Sequence, residues 1–318
     1  MKDYLEEAGN IYLSYYIEAA DELGVKYEIL QKGMARFQYQ DKHWYIIKPV
    51  TPLVNTPAKI LASRKHLTTS ILHKANLSVP IQKEVQNVQE AKDFFDEYKD
   101  IVIKPKQSLG GKGVSIKPTH DEIQGAFNRA YEKDKSKNEI KVLCEKYFSG
   151  VNVRLLTLGN KVIGVVKRDT PRITGDGKRT IEDILKEENT SRSQSTQIPI
   201  DEETQKVLKD QKLDLSSIPK NHEIVYIRYS TNLAQGGHTE ECSEKVHSYY
   251  KEIAVKAIKE LDMELGGVDL IVKDINKPDE YIINEINHNP GLKMHYQVDK
   301  GKKVKVAIPI IEYLIKNH

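Results

Sequence analysis

The chain has 318 residues, 39% of them hydrophobic and 30% charged, with a formal net charge of +3. That is enough apolar residue to bury a large core in two or three lobes, while so small and mixed a charge excess gives no electrostatic footprint for nucleic acid. No window is apolar for long enough to span a bilayer, and the start Met1-Lys2-Asp3-Tyr4-Leu5-Glu6-Glu7 is too acidic and too weakly apolar for a signal peptide.

In chain order, residues 3–23 read as one helix, with Tyr12, Tyr15, Tyr16, Ala19 and Leu23 at helical spacing and Gly24 as its stop. Short strands follow at 25–30, 36–40 and 44–47, with a turn at Lys32-Gly33. This lobe is too small to fold confidently alone and is expected to pack on the rest, its tyrosine stripe serving as core. Residues 57–75 read as a second helix, with Ile60, Leu61, Leu67, Ile71 and Leu72 on its apolar face, and 88–98 as a third.

Ile101-Val102-Ile103-Lys104-Pro105 reads as a buried strand ending in a lysine, a cation that needs an anionic partner. It runs into Lys106-Gln107-Ser108-Leu109-Gly110-Gly111-Lys112-Gly113-Val114. Glycines let such a loop bring backbone N–H groups to an anion. The context is strand–loop–strand, and no Lys-Ser/Thr pair opens a helix, so this is not a Walker A loop. A glycine-rich hairpin tip with solvated lysines fits the same residues. Thr119 to Glu122 forms a capping box before the next helix.

A strand at 141–144 leads into Glu145-Lys146-Tyr147-Phe148-Ser149-Gly150. This segment fits either a nucleotide hinge or an ordinary strand-to-turn junction. Gly159-Asn160 then turns a hairpin of 153–158 and 161–168, with Arg154, Lys167 and Arg168 as cations on its strands. Residues 171–178 read as a loop, Thr180 caps a short helix through Leu185, and 187–197 is polar and linker-like. Residues 201–212 read as helix and 224–229 as a strand that leads into the small-residue loop 230–238.

An amphipathic helix at 243–261 feeds the most informative stretch. Residues 267–272 and 281–287 read as two strands joined by a turn. Alternation puts Glu285 and Asn287 on one face of the second strand, and pairing of the strands brings Asp269 to them. Two carboxylates and an amide on rigid backbone suit Mg²⁺ bridging to phosphates. By itself the pattern also fits a surface hairpin with scattered acids. Asn289-Pro290-Gly291 turns the chain, and the last helix spans about residues 304–316. Cys144 and Cys242 lie far apart and form no metal or redox motif, so a reducing, cytoplasmic setting is expected.

Taken together, the order Lys65, Ile103-Lys104-Pro105, the glycine loop, Glu145, Asp269, and Glu285-x-Asn287 followed by Pro290-Gly291 resembles the ATP-grasp superfamily. The nearer likeness is to the ATP-grasp part of cyanophycin synthetase and to the glutathione-synthetase half of the bifunctional bacterial enzyme. It is carried by Gly175-Asp176-Gly177-Lys178-Arg179-Thr180-Ile181, by Leu215-Ser216-Ser217-Ile218-Pro219 through Arg228, Asn232 and Gly236-Gly237, and by Asn284-Glu285-Ile286-Asn287-His288-Asn289-Pro290 through Met294-His295. The likeness runs from about Pro57 to the end and is faint before that.

The resemblance implies an α+β ATP-grasp fold, two α+β lobes gripping ATP, with a small N-terminal lobe. The expected division is 1–56, 57–144 and 145–318. It implies Lys65 and Lys104 on the nucleotide phosphates, Gly110, Gly111, Lys112 and Gly113 over the β- and γ-phosphates, and Glu145, Lys146 and Phe148 at the adenine. The ribose-binding acid of the family falls at Asn152, an amide. Asp269, Glu285 and Asn287 match the ligands of Mg²⁺ (or Mn²⁺), and Arg154, Arg168, Arg228 and Asn232 match polar positions around the acyl phosphate and substrate carboxylates. The implied activity is an ADP-forming ligase joining a carboxylate to an amine of amino-acid or small-peptide substrates, without nucleic acid or membrane. A homodimer is compatible with this. Glutathione synthetase proper, an ATP-grasp phosphotransferase and a non-catalytic ATP-binding module stay open as alternatives.

Overall fold

The structure is a computed structural model and describes residues 2–106, 112–134, 142–192, 196–229, 231 and 236–318. In chain order, α1 (Tyr4–Ala8), α2 (Ile11–Glu22), β1 (Lys26–Gln31), β2 (Met34–Tyr39) and β3 (Lys42–Ile47) come first. Next are α3 (Thr56–Ser63), α4 (Lys65–Lys74), β4 (Gln82–Val85), α5 (Val88–Tyr98), β5 (Ile101–Pro105), β6 (Ser115–Ile116), α6 (Ile123–Lys133) and β7 (Val142–Lys146). Then come β8 (Val151–Leu158), β9 (Lys161–Asp169), β10 (Arg172–Thr174), α7 (Ile181–Thr190), α8 (Glu202–Asp210), β11 (Ile224–Tyr226) and β12 (His238–Glu241). The chain ends with α9 (Ser248–Lys259), β13 (Leu265–Val272), β14 (Tyr281–Asn287), α10 (Lys293–Tyr296) and α11 (Ala307–Asn317).

Two helices expected to be continuous are broken. Gly9, left-handed at φ 59°, ends α1, and the Asn10 side chain accepts from the N–H groups of Tyr12 and Leu13 to start α2. The second break falls at Arg64, whose backbone leaves the helical region at ψ 90°. Residues 171–178, read as a loop, contain β10, which pairs antiparallel with β11.

The chain forms two compact units, each built from separate stretches of sequence. One comprises Met1–Pro80, Phe148–Lys167 and Glu240–His318, and the other Ile81–Tyr147 and Arg168–Thr239. Strand pairing between distant segments causes the interleaving. In the first unit β13 pairs with β8 on one side and β14 on the other, inside a five-stranded sheet of order β12-β9-β8-β13-β14. One face of that sheet packs Val153, Leu155, Val268 and Leu270 against α9, α3 and α4. Leu156, Leu158 and Leu265 join a second core with α2, α11 and the N-terminal β1-β2-β3 sheet, so the expected dependence of the N-terminal lobe is met inside this unit.

In the second unit the sheet β4-β7-β5-β6 packs on α5 and α6 through Phe94, Ile101, Ile103, Ile123, Phe127 and Val142. Residues 170–227 add a small core of Ile173, Ile181, Leu185, Leu208, Val225 and Ile227 around β10, β11, α7 and α8. Val225 and Ile227 are buried while Ile224 and Tyr226 are exposed, the alternation the sequence predicts.

Candidate active site

In the first unit the register sets Asp269 directly opposite Glu285 and Gly267 opposite Asn287. A bulge follows: Leu270 pairs with Ile283, so Asn284 is the extra residue beside the carboxylate pair. On its other side Asp269 faces Arg154 of β8. The guanidinium grips the carboxylate with both ends of its fork, Nε donating to Oδ1 at 2.5 Å and Nη2 to Oδ2 at 2.6 Å. The pair is secluded, with side chains 11% and 3% exposed. Burial alone would lower the Arg154 pKa, but the charge and hydrogen bonds of Asp269, with Glu285 behind them, raise it.

Gly267 makes room for this arrangement. A Cβ there would lie 3.1 Å from Pro290 Cβ, 3.5 Å from Arg154 Cδ and 3.6 Å from Asn287 Cβ. Asn287 Nδ2 donates to the Gly267 carbonyl at 3.5 Å, turning the amide oxygen to the other side. Two opposed carboxylates and an amide oxygen two residues along the same face fit a hard divalent cation. Among the described residues no group of three or more His, Cys, Asp and Glu gathers as a metal cluster. Asn152 stands on β8 opposite Ile271, half-buried, and Lys65 is the half-buried first residue of α4. Lys273 Nζ lies 4.7 Å from the centre of the Phe148 ring.

The sequence reading gave no role to His295, and the structure puts it beside this site. It is 1% exposed, and neither ring nitrogen has a hydrogen-bond partner. Gly164 closes on it, since a Cβ there would sit 2.8 Å from His295 Nδ1. Burial lowers the imidazole pKa to about 3, and the charge of Arg154 adds to the effect. The only sequence signal was its place at the end of the Asn284–His295 motif.

In the second unit, pairing of β5 with β7 sets Lys104 Nζ 2.5 Å from Glu145 Oε1, both side chains buried. The anionic partner expected for Lys104 is therefore Glu145 in this structure. Next along the strand, the buried Lys106 reaches Glu84 at 3.0 Å. Lys146 is exposed, its Nζ 5.6 Å from the centre of the Tyr98 ring. The expected adenine hinge of Glu145, Lys146 and Phe148 falls where the chain leaves this unit, between Tyr147 and Phe148. Gly113 has φ 77°, and a Cβ there would lie 2.9 Å from Lys133 Cβ and Pro105 Cγ, while Lys112 is exposed. Gly110 and Gly111 lie outside the described residues, as does Asn232.

Arg168, on β9, is half-buried. Arg228 is 3% exposed and already engaged. Its Nη1 donates to Asp201 Oδ1 at 2.8 Å and to Thr204 Oγ1 at 3.4 Å, and its Nη2 donates to Glu203. These contacts clamp it to the start of α8. Burial would raise the Asp201 pKa, but its hydrogen bond and charge contact with Arg228 lower it.

Family models match two stretches of the chain: "Phosphoribosylglycinamide synthetase, ATP-grasp (A) domain" over residues 63–192 and "RimK-like ATP-grasp domain" over residues 226–314. The chain belongs to the ATP-grasp superfamily of ligases and has its α+β fold. Within that superfamily it is 33% identical over 270 residues to the glutathione biosynthesis bifunctional protein GshAB of Clostridium perfringens, covering 80% of this chain and 34% of that one. GshAB of Listeria monocytogenes is 31% identical over 309 residues, covering 92% of this chain and 40% of that one. Cyanophycin synthetase of Synechocystis sp. is 27% identical over 267 residues, covering 80% and 30%. The crystal structure of a bifunctional glutathione synthetase from Pasteurella multocida superposes with a TM-score of 0.67 at 25% identity, covering 96% of this chain and 44% of that one. The chain thus spans 30–40% of the length of these curated relatives. Among the described residues no helix is long and apolar enough to cross a membrane.

Proposed function

We propose that this protein is an ADP-forming carboxylate–amine ligase acting on amino-acid or small-peptide substrates through an acyl phosphate. The observation that carries the reading is the register pair Asp269–Glu285 with Asn287 on the same face, a donor set suited to a divalent cation beside the arginine Arg154. Mg²⁺ held by Asp269, Glu285 and Asn287 would neutralise charge on the phosphates of ATP. The substrate carboxylate attacks the γ-phosphorus and ADP leaves. The amine then attacks the acyl carbon, and phosphate leaves with the C–O bond electrons as the amide forms.

The chain's own contribution is positioning and charge. Lys65 and Lys104 serve the phosphates, with Gly110 to Gly113 covering them, while Glu145, Lys146 and Phe148 hold the adenine. Asn152 meets the ribose as a neutral amide, a weaker acceptor than the family's acid. Arg154 and Arg168 serve the acyl phosphate and the acid substrate. The seating of Arg228 among Asp201, Glu203 and Thr204 supports a bracing role for it. Glutathione synthesis is the second reading, supported by the likeness to GshAB.

The test is phosphate release from ATP and Mg²⁺ with pairs of amino acids or dipeptides, γ-glutamylcysteine with glycine included. Release that requires both an acid and an amine is expected, and Glu285→Gln should abolish it while the melting temperature stays near wild type. ADP formation that needs no amine and releases no free phosphate would make the protein a phosphotransferase, and unaltered turnover in the Gln variant would remove Glu285 from the mechanism.

A further inference from the structure

We infer that Arg154 is a resident counter-cation that keeps a free divalent ion out of this site until nucleotide phosphates arrive. The inference rests on the metal–nucleotide reading above. Arg154 spends one N–H on each oxygen of Asp269, the same oxygens a cation would take. Asp269 and Glu285 supply two negative charges and Arg154 one positive, so these three side chains together carry one net negative charge rather than two. A hard cation that must shed water needs more than that. The guanidinium in turn cannot simply let go: its side chain is 11% exposed, and a buried cation without an anion is costly.

Phosphate oxygens remove both obstacles at once. They add ligands and negative charge for the metal, and they offer the planar fork of Arg154 a second bidentate acceptor. Cation and nucleotide therefore enter by an exchange of partners, in which Asp269 passes from arginine to metal and Arg154 from carboxylate to phosphate. The neighbourhood supports such a move. Gly267 leaves the Arg154 stem unobstructed, and the adjacent His295 is held neutral by burial and adds no competing charge.

The experiment is a titration of nucleotide-free protein with Mn²⁺, read as the loss of the free-ion paramagnetic resonance signal. Arg154→Met is expected to bind Mn²⁺ about tenfold or more tightly than wild type, because removing the charge restores both carboxylates to the metal. Adding Asp269→Asn to that variant should abolish the gain. Equal affinity in wild type and Arg154→Met would overturn the inference. An arm with Mn²⁺ and a non-hydrolysable ATP analogue, in wild type and Glu285→Gln, tests the parent reading separately: Glu285-independent binding there sinks the metal–nucleotide assignment. Should Arg154→Met fail to fold, the wild-type Arg154 Nε–H resonance, identified by its loss in Arg154→Lys, decides the matter. It is expected to shift when Mg²⁺ and the analogue are added together but not with Mg²⁺ alone. A signal unmoved by the pair would overturn the inference.

Discussion

Lys104 Nζ lies 2.5 Å from Glu145 Oε1, and the two side chains are only 8% and 7% exposed on paired strands. Breaking such a pair from one side strands a buried charge and costs ~3–5 kcal/mol, whereas an apolar pair of similar size is close to neutral. Glu145→Leu alone should therefore be strongly destabilised, and Lys104→Met/Glu145→Leu should recover to within about 1 kcal/mol of wild type in urea unfolding. The recovered double variant should no longer bind ATP. Equal stability for the single and double variants would show that the ion pair carries no such cost.

Arg228 is expected to matter first for stability. Its partners Asp201 and Glu203 are 47% and 29% exposed, so removing the guanidinium leaves two partly hydrated acids. Arg228→Met should lose about 1–3 kcal/mol, with amide exchange rising first in α8. Arg228→Lys, which cannot reproduce the fork, should share part of that loss. A lysine variant with wild-type melting temperature and a kcat lowered tenfold or more would instead place the arginine in the chemistry.

His295 makes a pH prediction. Its pKa falls from 6.5 to about 3 on folding, chiefly through burial. Between those values the unfolded chain holds a proton that the folded chain does not, so stability rises with pH across the window and is lost on acidification. The slope is at most ~1.4 kcal/mol per pH unit. His295→Gln lacks this proton, so wild type should lose about 2 kcal/mol more than the variant between roughly pH 7 and pH 5. Parallel stability curves for the two proteins would contradict the buried neutral imidazole.

Two glycines should respond to alanine in opposite directions. A Cβ on Gly150 would lie 2.5 Å from the Val272 carbonyl oxygen, so backbone at the end of β13 must move. Gly150→Ala should cost ~1–3 kcal/mol. Gly125 lies inside α6, where a Cβ meets only the flexible tip of Arg129 at 3.3 Å. Gly125→Ala should stabilise by ~0.5–1 kcal/mol. Melting temperatures that move the same way would refute the contrast.

The opposed carboxylates were legible because strand alternation has a period of two, and the observed strands keep that phase over the pairs Gly267–Asn287, Val268–Ile286 and Asp269–Glu285. The bulge at Asn284 was not, since an extra residue leaves no local signature in a run of strand formers. The break at Gly9-Asn10 did carry a signal, a left-handed glycine before a capping asparagine, but the tyrosine periodicity across it masked the stop. Arg64 offered none, having no side-chain cap of its own. The interleaving of the two units carried no local signal for a different reason: β13 pairs with β8 over a separation that no window of sequence reports. The partners of Lys104, Arg154 and Arg228 are likewise distant in sequence, so their charges were visible and their present engagements were not.

The strands that bracket the longest excursion, β9 and β12, are neighbours in the five-stranded sheet. Everything between them, including the small core of Ile173, Leu185 and Val225, leaves and returns at adjacent points. Such an excursion is a cassette. A graft joined between β9 and β12 is expected to leave the register that opposes Asp269 to Glu285 where it is, because the strands that carry that register lie outside the excursion.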